Sequence, residues 1–312
     1  MDKDSKKNIT SQNKVLDHLL DKLAQLSDFK KVLSKRAKAK FITNAYTYKL
    51  SGLNSPLKKS YQGTYYNCAT VLEQKDDKIT SHYCNNRWCI VCNRIRTAKM
   101  IIGYKPQLDE LQDKYFVTLT IPNVTGSDLR QVIKQMTKAF TRIRKTFHDR
   151  HISFVGIRKL ECTYNPITNL YHPHFHIIMS SESVAHQLVI DWLKHYPEAN
   201  EYAQDIRPAD DDSVMELFKY FSKIITNKTI YVQALDTIFN AMYSLRVYQA
   251  FGIKRAISED ISEIQAELYK DLEKREAIWT WLENDWIDQN TGELLTGYEP
   301  NDQIKKIINN IK

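Results

Sequence analysis

The sequence holds no run of about 18 uncharged apolar residues, so no helical membrane span is expected. The opening stretch, Met1 to Lys14, is polar and lacks an apolar segment, so it does not read as a secretion signal. There is no internal repeat and no low-complexity tract. Cysteine is sparse: five residues, an odd number, with four of them clustered at metal-ligand spacing. That pattern argues against a disulfide framework and for a reducing cytoplasm. Acidic residues are scarce in the first 60 positions, with five against fourteen Lys or Arg. From Glu259 onward the bias reverses, to thirteen acids against six bases. A basic front and an acidic tail imply that only part of the chain meets a polyanion.

At 312 residues, 42% hydrophobic and 26% charged, the chain is long enough to bury a core without covalent staples. Its net charge of +8 suits an anionic partner. Residues 1–13 are too polar to pack. Residues 14–50 read as helical, with basic positions at Lys30, Lys31, Lys35, Arg36, Lys38 and Lys40. The run Tyr115-Phe116-Val117-Thr118-Leu119-Thr120-Ile121 is β-branched and aromatic and stops at Pro122-Asn123, which predicts a buried strand. Ser127 is placed to cap a helix reaching Phe147. Its apolar side is Leu129, Val132, Ile133, Met136, Phe140, Ile143 and Phe147. Its other face carries Arg130, Lys134, Lys138, Arg142, Arg144 and Lys145. Strands over 154–164 and 170–180, joined by Asn165-Pro166-Ile167-Thr168-Asn169, predict a hairpin. Further helices are expected over 183–194, 213–226, 232–249, 261–285 and at the C-terminus.

Cys68, Cys84, Cys89 and Cys92 are spaced C-x15-C-x4-C-x2-C. Four thiolates suit tetrahedral zinc, and a C-x2-C turn supplies two of them from one knuckle, as in a zinc ribbon. His82 is an alternative to Cys68 as the fourth ligand. Arg87, Arg94, Arg96 and Lys99 interleave with the cysteines and would make the knuckle basic. Cys162 stands apart and reads as a small core residue.

The most informative run is Tyr171-His172-Pro173-His174-Phe175-His176-Ile177-Ile178-Met179. On a strand, His174 and His176 share one face while Phe175 and Ile177 point the other way, into the core. If the hairpin turn centres between Ile167 and Thr168, Glu161 lies opposite His174, Thr163 opposite His172 and Lys159 opposite His176. Glu161, His174 and His176 then form a mixed nitrogen and oxygen site that suits Mg²⁺ or Mn²⁺ and leaves positions for a phosphate oxygen. A slip of one residue would turn Glu161 to the other face. His172 lies outside the pair, as a supporting group or a DNA contact.

In a helix over 213–226, Met215, Phe218, Ile225 and either Phe221 or Ser222 would be apolar. Glu216, Tyr220, Lys223 and Asn227 would line a polar stripe. Tyr220 with Lys219 and Lys223 nearby can offer its hydroxyl to a phosphate, because adjacent cations ease formation of the phenolate.

The order of these motifs resembles a known family. Cys84-x2-Arg87-x-Cys89-x2-Cys92 comes first, then Phe116-Val117-Thr118-Leu119-Thr120, then the histidine run, and last Glu216-x2-Lys219-Tyr220-x2-Lys223. Over residues 60–255 the chain is similar to the plasmid rolling-circle replication initiators of the HUH endonuclease superfamily, in the single-tyrosine branch. The resemblance implies an α+β fold: a central antiparallel sheet carrying both histidines on a middle strand, with helices behind. A zinc-ribbon-like module would precede the sheet and a helical region would follow it. The implied organisation is a basic helical region over 1–60, the cysteine module over 61–105, the endonuclease over 106–256 and an acidic helical region over 257–312.

The resemblance also implies chemistry. Tyr220 would nick plasmid double-strand origin DNA, presented as single-stranded DNA, and stay on the 5′ phosphate. Glu216 would activate water for the closing cleavage. The divalent ion would sit on His174, His176 and Glu161, with structural zinc on the cysteines. DNA would be held by Arg87, Arg94, Arg96, Arg142, Lys219 and Lys223, with bases stacking on aromatics such as Tyr115 or Tyr171. A bacterial cytoplasm is the implied location. For Trp279, Trp281 and Trp286 three roles stay open: packing on the core, recruiting a host helicase, or forming a homodimer.

Three other readings compete. A conjugative relaxase or a single-strand transposase shares the chemistry, but the knuckle and the compact length lean toward a replication initiator. A zinc-ribbon DNA-binding regulator would bind without cutting. A hydrolytic nuclease would cut without a covalent adduct.

Overall fold

The computed structural model describes residues 31–75, 78–218, 223–255 and 276–312. Expectations for 1–30, for Lys219 and Tyr220, and for 256–275 lie outside these residues. The described helices are α1 (31–51), α2 (Lys58–Asn67), α3 (Ile90–Asp109), α4 (Leu129–Asp149), α5 (Glu182–His195), α6 (Asp211–Leu217), α7 (Val232–Met242) and α8 (Asp302–Asn309). The strands are β1 (Val71–Lys75), β2 (Lys78–Ser81), β3 (Lys114–Thr120), β4 (Gly156–Asn165) and β5 (Leu170–Ser180). They continue with β6 (Asp205–Pro208), β7 (Tyr248–Phe251), β8 (Ala277–Leu282) and β9 (Asp285–Asp288). No described helix is long and apolar enough to cross a membrane. The class is α+β, with two antiparallel sheets, as the motif order implies.

The chain divides into two compact units that interleave in sequence. The first contains the four-stranded sheet β2-β1-β8-β9. β1 and β2 form a hairpin, and β8 adds to the other edge of β1, with Leu72 opposite Trp279. Leu33, Ala37, Leu72, Trp279 and Trp286 are buried in its core. Trp286 donates its indole N–H to the Ala69 carbonyl at 2.8 Å, which satisfies the one polar atom of a large buried ring. The tryptophans therefore pack. This corrects the helix expected over 261–285 where it is described: 277–282 and 285–288 are strands. The run Ile278-Trp279-Thr280-Trp281 has the β-branched and aromatic character that favours a pleated surface.

The second unit is built on the five-stranded antiparallel sheet β6-β3-β5-β4-β7, with β5 in the centre. The hairpin β4–β5 turns where the sequence places it. Asn165 pairs with Leu170, and the Asn165 side chain accepts from the N–H of Ile167 at 2.9 Å. Asn169 takes the left-handed backbone (φ 55°) that asparagine tolerates better than most residues. Gly156 opens β4 where any Cβ would collide with the Ile178 carbonyl, so only glycine allows β4 and β5 to meet there.

One face of this sheet is covered by α4 and α5. Phe175 is fully buried there, between Phe140 (ring centroids 5.6 Å apart) and Trp192 (5.7 Å). The buried side of α4 is Leu129, Ile133, Met136, Ala139, Phe140, Ile143 and Phe147, close to expectation. Ser127 does not cap it. Asp128 occupies the N-cap without a side-chain cap bond, while Ser127 bonds Thr125. Arg158 is also buried on this face, its guanidinium 4.4 Å from the Phe175 ring and 5.0 Å from the Phe140 ring. The opposite face is partly covered by α6, whose Val214 and Leu217 pack with Leu108, Phe116, Ile157 and Ile178. Helices thus lie on both faces, rather than only behind the sheet.

Two further helices differ from the sequence reading. The helix expected over 213–226 ends at Leu217, with Phe218 as its C-cap. Its buried side is Val214 and Leu217, while Met215 is 42% exposed. The helix expected over 232–249 ends at Met242, and Tyr248–Phe251 instead form β7 against β4. Arg130 stops it: one guanidinium nitrogen donates to the carbonyls of Asn240, Ala241 and Tyr243, each at 3.0 Å. That satisfies the end of the helix with a cation, which the helix dipole favours.

Phe175→Ala is expected to cost about 3–5 kcal/mol by removing a fully buried ring. Urea unfolding of the variant against wild type measures it.

Candidate active site

The register of β4 on β5 assembles the site. Glu161 lies opposite His174, Thr163 opposite His172 and Lys159 opposite His176, as the turn position predicts. Side chains alternate along a strand, so these groups share a face while Phe175 and Ile177 enter the core. The ligand atoms of Glu161, His174 and His176 all lie within 4.8 Å of one another. Glu161 Oε2 is 3.5 Å from His174 Nε2 and 3.6 Å from His176 Nε2. Ligand atoms at that spacing can share one divalent ion at ~2.1 Å from each.

Hydrogen bonds prepare both imidazoles. His174 Nδ1 lies 3.0 Å from the His172 carbonyl, which can only accept, so Nδ1 carries a hydrogen and Nε2 is the atom turned toward Glu161. His176 Nδ1 is 3.1 Å from Thr118 Oγ1, on the neighbouring strand β3, which leaves its Nε2 toward Glu161. Burial pulls the pKa of His176 down to about 4, so the ring is neutral and ready to ligate near pH 7. Burial opposes the Glu161 carboxylate, but His174, Lys159 and His176 outweigh it and hold its pKa at about 2. His172 stays outside the trio. Its Nδ1 is 2.9 Å from Asn123 Oδ1, and its ring stacks on His174 with centroids 5.1 Å apart.

Around this trio stand groups that the sequence reading gave no role. Lys159 is fully buried and bonds the Glu161 carboxylate through Oε1. Its Nζ is also 3.5 Å from the backbone carbonyl of Glu216, in the last turn of α6. Glu216 Oε2 pairs with Arg207 Nη2 at 3.2 Å. Arg207 in turn lies over Phe116, 4.2 Å from the ring centre. The alternation of β4 puts Lys159 on the histidine face, but its burial depends on α6 and is not written in the hairpin. Arg207 arrives on β6, a short strand with no alternating pattern to mark it.

Because α6 ends at Leu217, the polar stripe from Glu216 to Asn227 is not a continuous helical face. Asn227 sits in a turn with φ 49°. Lys223 is exposed. Tyr220 and Lys219 fall outside the described residues. The chain leaves α6 at Phe218, whose carbonyl accepts from the Thr97 hydroxyl at 2.8 Å.

In the other unit the four cysteine sulfurs also lie within 4.8 Å of one another. Cys68 Sγ is 3.5 Å from those of Cys89 and Cys92, and Cys84 Sγ is 3.6 Å from that of Cys92. A zinc tetrahedron with ~2.3 Å bonds sets its sulfurs about 3.8 Å apart, so the four residues fit that ion. Cys68 therefore takes the fourth position, and His82 is exposed outside the cluster. Cys92 comes from the first turn of α3. Hydrogen bonding with Cys68 pulls the Cys84 thiol far down and pushes Cys92 up, as expected where neighbouring thiols share protons. Lys40 is buried near the cluster, with Nζ 3.1 Å from Thr70 Oγ1; burial lowers its pKa to about 8 against the pull of the cysteines. Cys162 is buried and apart, as expected.

The expected DNA contacts divide. Arg94, Lys134, Lys138, Arg142 and Lys145 are exposed. Arg87 and Arg96 are half-buried, and Arg96 bonds Asn93 at 2.6 Å. Arg130 is the helix stop described above, and Arg144 stacks on Phe251 at 4.5 Å. Tyr171 is only 5% exposed and packs on Tyr164, so it offers no stacking platform. Tyr115 bonds Glu182 at 3.2 Å.

Two outcomes follow from this geometry. Glu161→Ala is expected to weaken Mn²⁺ binding at least tenfold by calorimetry, while zinc content by mass spectrometry stays unchanged; Cys84→Ser is expected to do the reverse. Stability should also fall as pH drops. The unfolded chain protonates His176 near its ordinary 6.5, whereas the folded chain resists until about 4, so stability is lost from 6.5 downward through that window. Chemical denaturation between pH 7 and pH 4 in the absence of metal checks this, with His176→Gln showing the shallower decline.

A family model described as Replication protein (Rep_1) matches residues 77–286. A protein rep of Streptococcus pneumoniae serotype 2 (strain D39) is 24% identical over 237 residues, which is 68% of this chain and 71% of that one. A protein rep of Staphylococcus aureus is 28% identical over 172 residues, 49% of this chain and 74% of that one. A protein rep of a Bacillus species is 34% identical over 127 residues, 36% of this chain and 40% of that one. No solved structure matches the chain. With a match that runs from the cysteine hairpin, through the histidine strand, to β9, the chain belongs to the Rep_1 family of replication proteins.

Proposed function

We propose that the protein initiates rolling-circle replication of a plasmid by nicking one strand of its origin and later rejoining it, as a member of the HUH endonucleases. The observation that carries this reading is the Glu161–His174–His176 trio on a single sheet face, in a chain of the replication protein family. Two imidazoles and one carboxylate hold a hard divalent ion, Mg²⁺ or Mn²⁺, while leaving coordination positions open. When bound, that ion supplies positive charge against a non-bridging phosphate oxygen.

The chain's own residues would do the rest. The Tyr220 oxygen attacks the scissile phosphorus as its proton is lost to solvent or a nearby base. The bond from phosphorus to the 3′ oxygen breaks, and that oxygen takes up a proton to become a free 3′ hydroxyl. The 5′ phosphate stays on the tyrosine, so the energy of the phosphodiester is kept and the step reverses when a 3′ hydroxyl returns. Glu216 is four residues before Tyr220 and half-exposed, and in this reading its carboxylate takes a proton from water in the closing cleavage. Arg207 pairs with that carboxylate and aims it. Exposed Arg94, Arg142 and Lys223 would meet phosphates and set affinity without reading sequence. The division of labour proposed is a DNA-contacting cysteine module over 61–105 and an endonuclease over 106–256. A replication-protein match favours an initiator over a relaxase, a transposase or a regulator.

A single-stranded oligonucleotide carrying the origin, incubated with Mn²⁺ and run on a denaturing gel, tests the proposal. Wild type is expected to give a covalent protein–DNA band that Tyr220→Phe abolishes and His174→Ala reduces at least a hundredfold. Cutting without an adduct would establish a hydrolytic nuclease instead.

A further inference from the structure

Lys159 is the unusual residue of the sheet. Its side chain is fully buried, and a buried ammonium is costly unless its donors are satisfied. Among the described residues, a carboxylate and a backbone carbonyl meet it. The Glu161 carboxylate accepts through Oε1, leaving Oε2 toward both histidines. The Glu216 carbonyl lies 3.5 Å away. That carbonyl belongs to the last turn of α6, the end of the helix that carries partial negative charge. The Tyr248 ring, centred 6.0 Å from Nζ, helps to enclose the ammonium. One cation is thus shared between a metal ligand and the end of the helix that leads to Tyr220.

We propose that Lys159 is a positioning residue that couples cation binding at Glu161, His174 and His176 to the order of the last turn of α6. This rests on the reading of the trio as a metal site. The coupling follows from charge. A divalent ion on Oε2 draws electron density from the Glu161 carboxylate and weakens its hold on Lys159 through Oε1. The ammonium then turns more of its charge to the Glu216 carbonyl and tightens the end of α6. Cation loading would thereby order the backbone that precedes the tyrosine before DNA arrives.

The test needs neither DNA nor cleavage, so its failure is separable from failure of the nickase reading. Amide hydrogen exchange is followed by mass spectrometry on the full chain, with and without Mn²⁺, in peptides covering 211–218. Mn²⁺ binding is measured in parallel by calorimetry. In wild type, Mn²⁺ is expected to slow exchange in these peptides at least fivefold. In Lys159→Met, Mn²⁺ is expected to bind within tenfold of wild type while the slowing disappears. Equal slowing in the variant, or none in wild type that has bound Mn²⁺, would overturn the proposal. Should Lys159→Met fail to fold by circular dichroism, Lys159→Arg replaces it. That variant keeps the charge but displaces the donor, so slowing reduced at least twofold is expected, and unchanged slowing would overturn the coupling.

Discussion

The pairing of Glu161 with His174 across β4 and β5 is the constraint on which the rest of the site depends. A strand alternates its faces with a period of two, so the register is all or nothing. With the turn between Asn165 and Leu170, the carboxylate, both imidazoles and Lys159 face one way, while Phe175 and Ile177 enter the core. Shifted by one position, the hairpin would turn the candidate ligands toward Phe140 and Trp192, and Phe175 and Ile177 toward the other face. The hydrophobic packing of Phe175 on Phe140 and Trp192 therefore does more than stabilise the sheet. It makes the wrong register costly, and so sets where the ligands stand.

Around that hairpin the chain places supports of a different kind. Thr118 reaches His176 from β3, and α6 brings a backbone carbonyl to Lys159. Arg207 on β6 fixes Glu216. Each contacts a member or a neighbour of the Glu161–His174–His176 trio rather than adding to it. The cysteine cluster solves a separate problem. Four thiols lie within tetrahedral spacing, and a metal ion held there would anchor the smaller sheet beside its apolar core.

How much of this could be read from sequence depended on range. The histidine strand, its carboxylate partner and the turn were legible because a short hairpin joins them, and local rules decide its register. The four cysteines were legible because metal ligation dictates both residue type and spacing. Pieces that answer to distant partners were not. The helix through 232–242 has apolar positions that continue beyond Met242, but Arg130, from α4, bonds the carbonyls at its end, and Tyr248–Phe251 pair with β4. For Trp279 and Trp286 packing was one of three open roles, and a helix was expected over 261–285. The strands became evident only once β1 supplied an edge. Arg130 and Arg144 show the same limit for charge: on a helical wheel they join the basic stripe, yet one stops a helix and the other lies on a ring.

The pairing of β1 with β8 has a consequence for the order of events at the ribosome. A chain is made from its N-terminus, and domains generally fold as they emerge. Here β1, with the cysteines around it, waits for β8 and β9, which are synthesised after every strand of the larger sheet. The hairpin that carries Glu161 and the histidines can thus be complete while β1 still shows an open edge, the kind of surface that invites foreign strands. Early capture of zinc by Cys68, Cys84, Cys89 and Cys92, all of which precede that wait, would hold the unfinished module together until its last strands arrive.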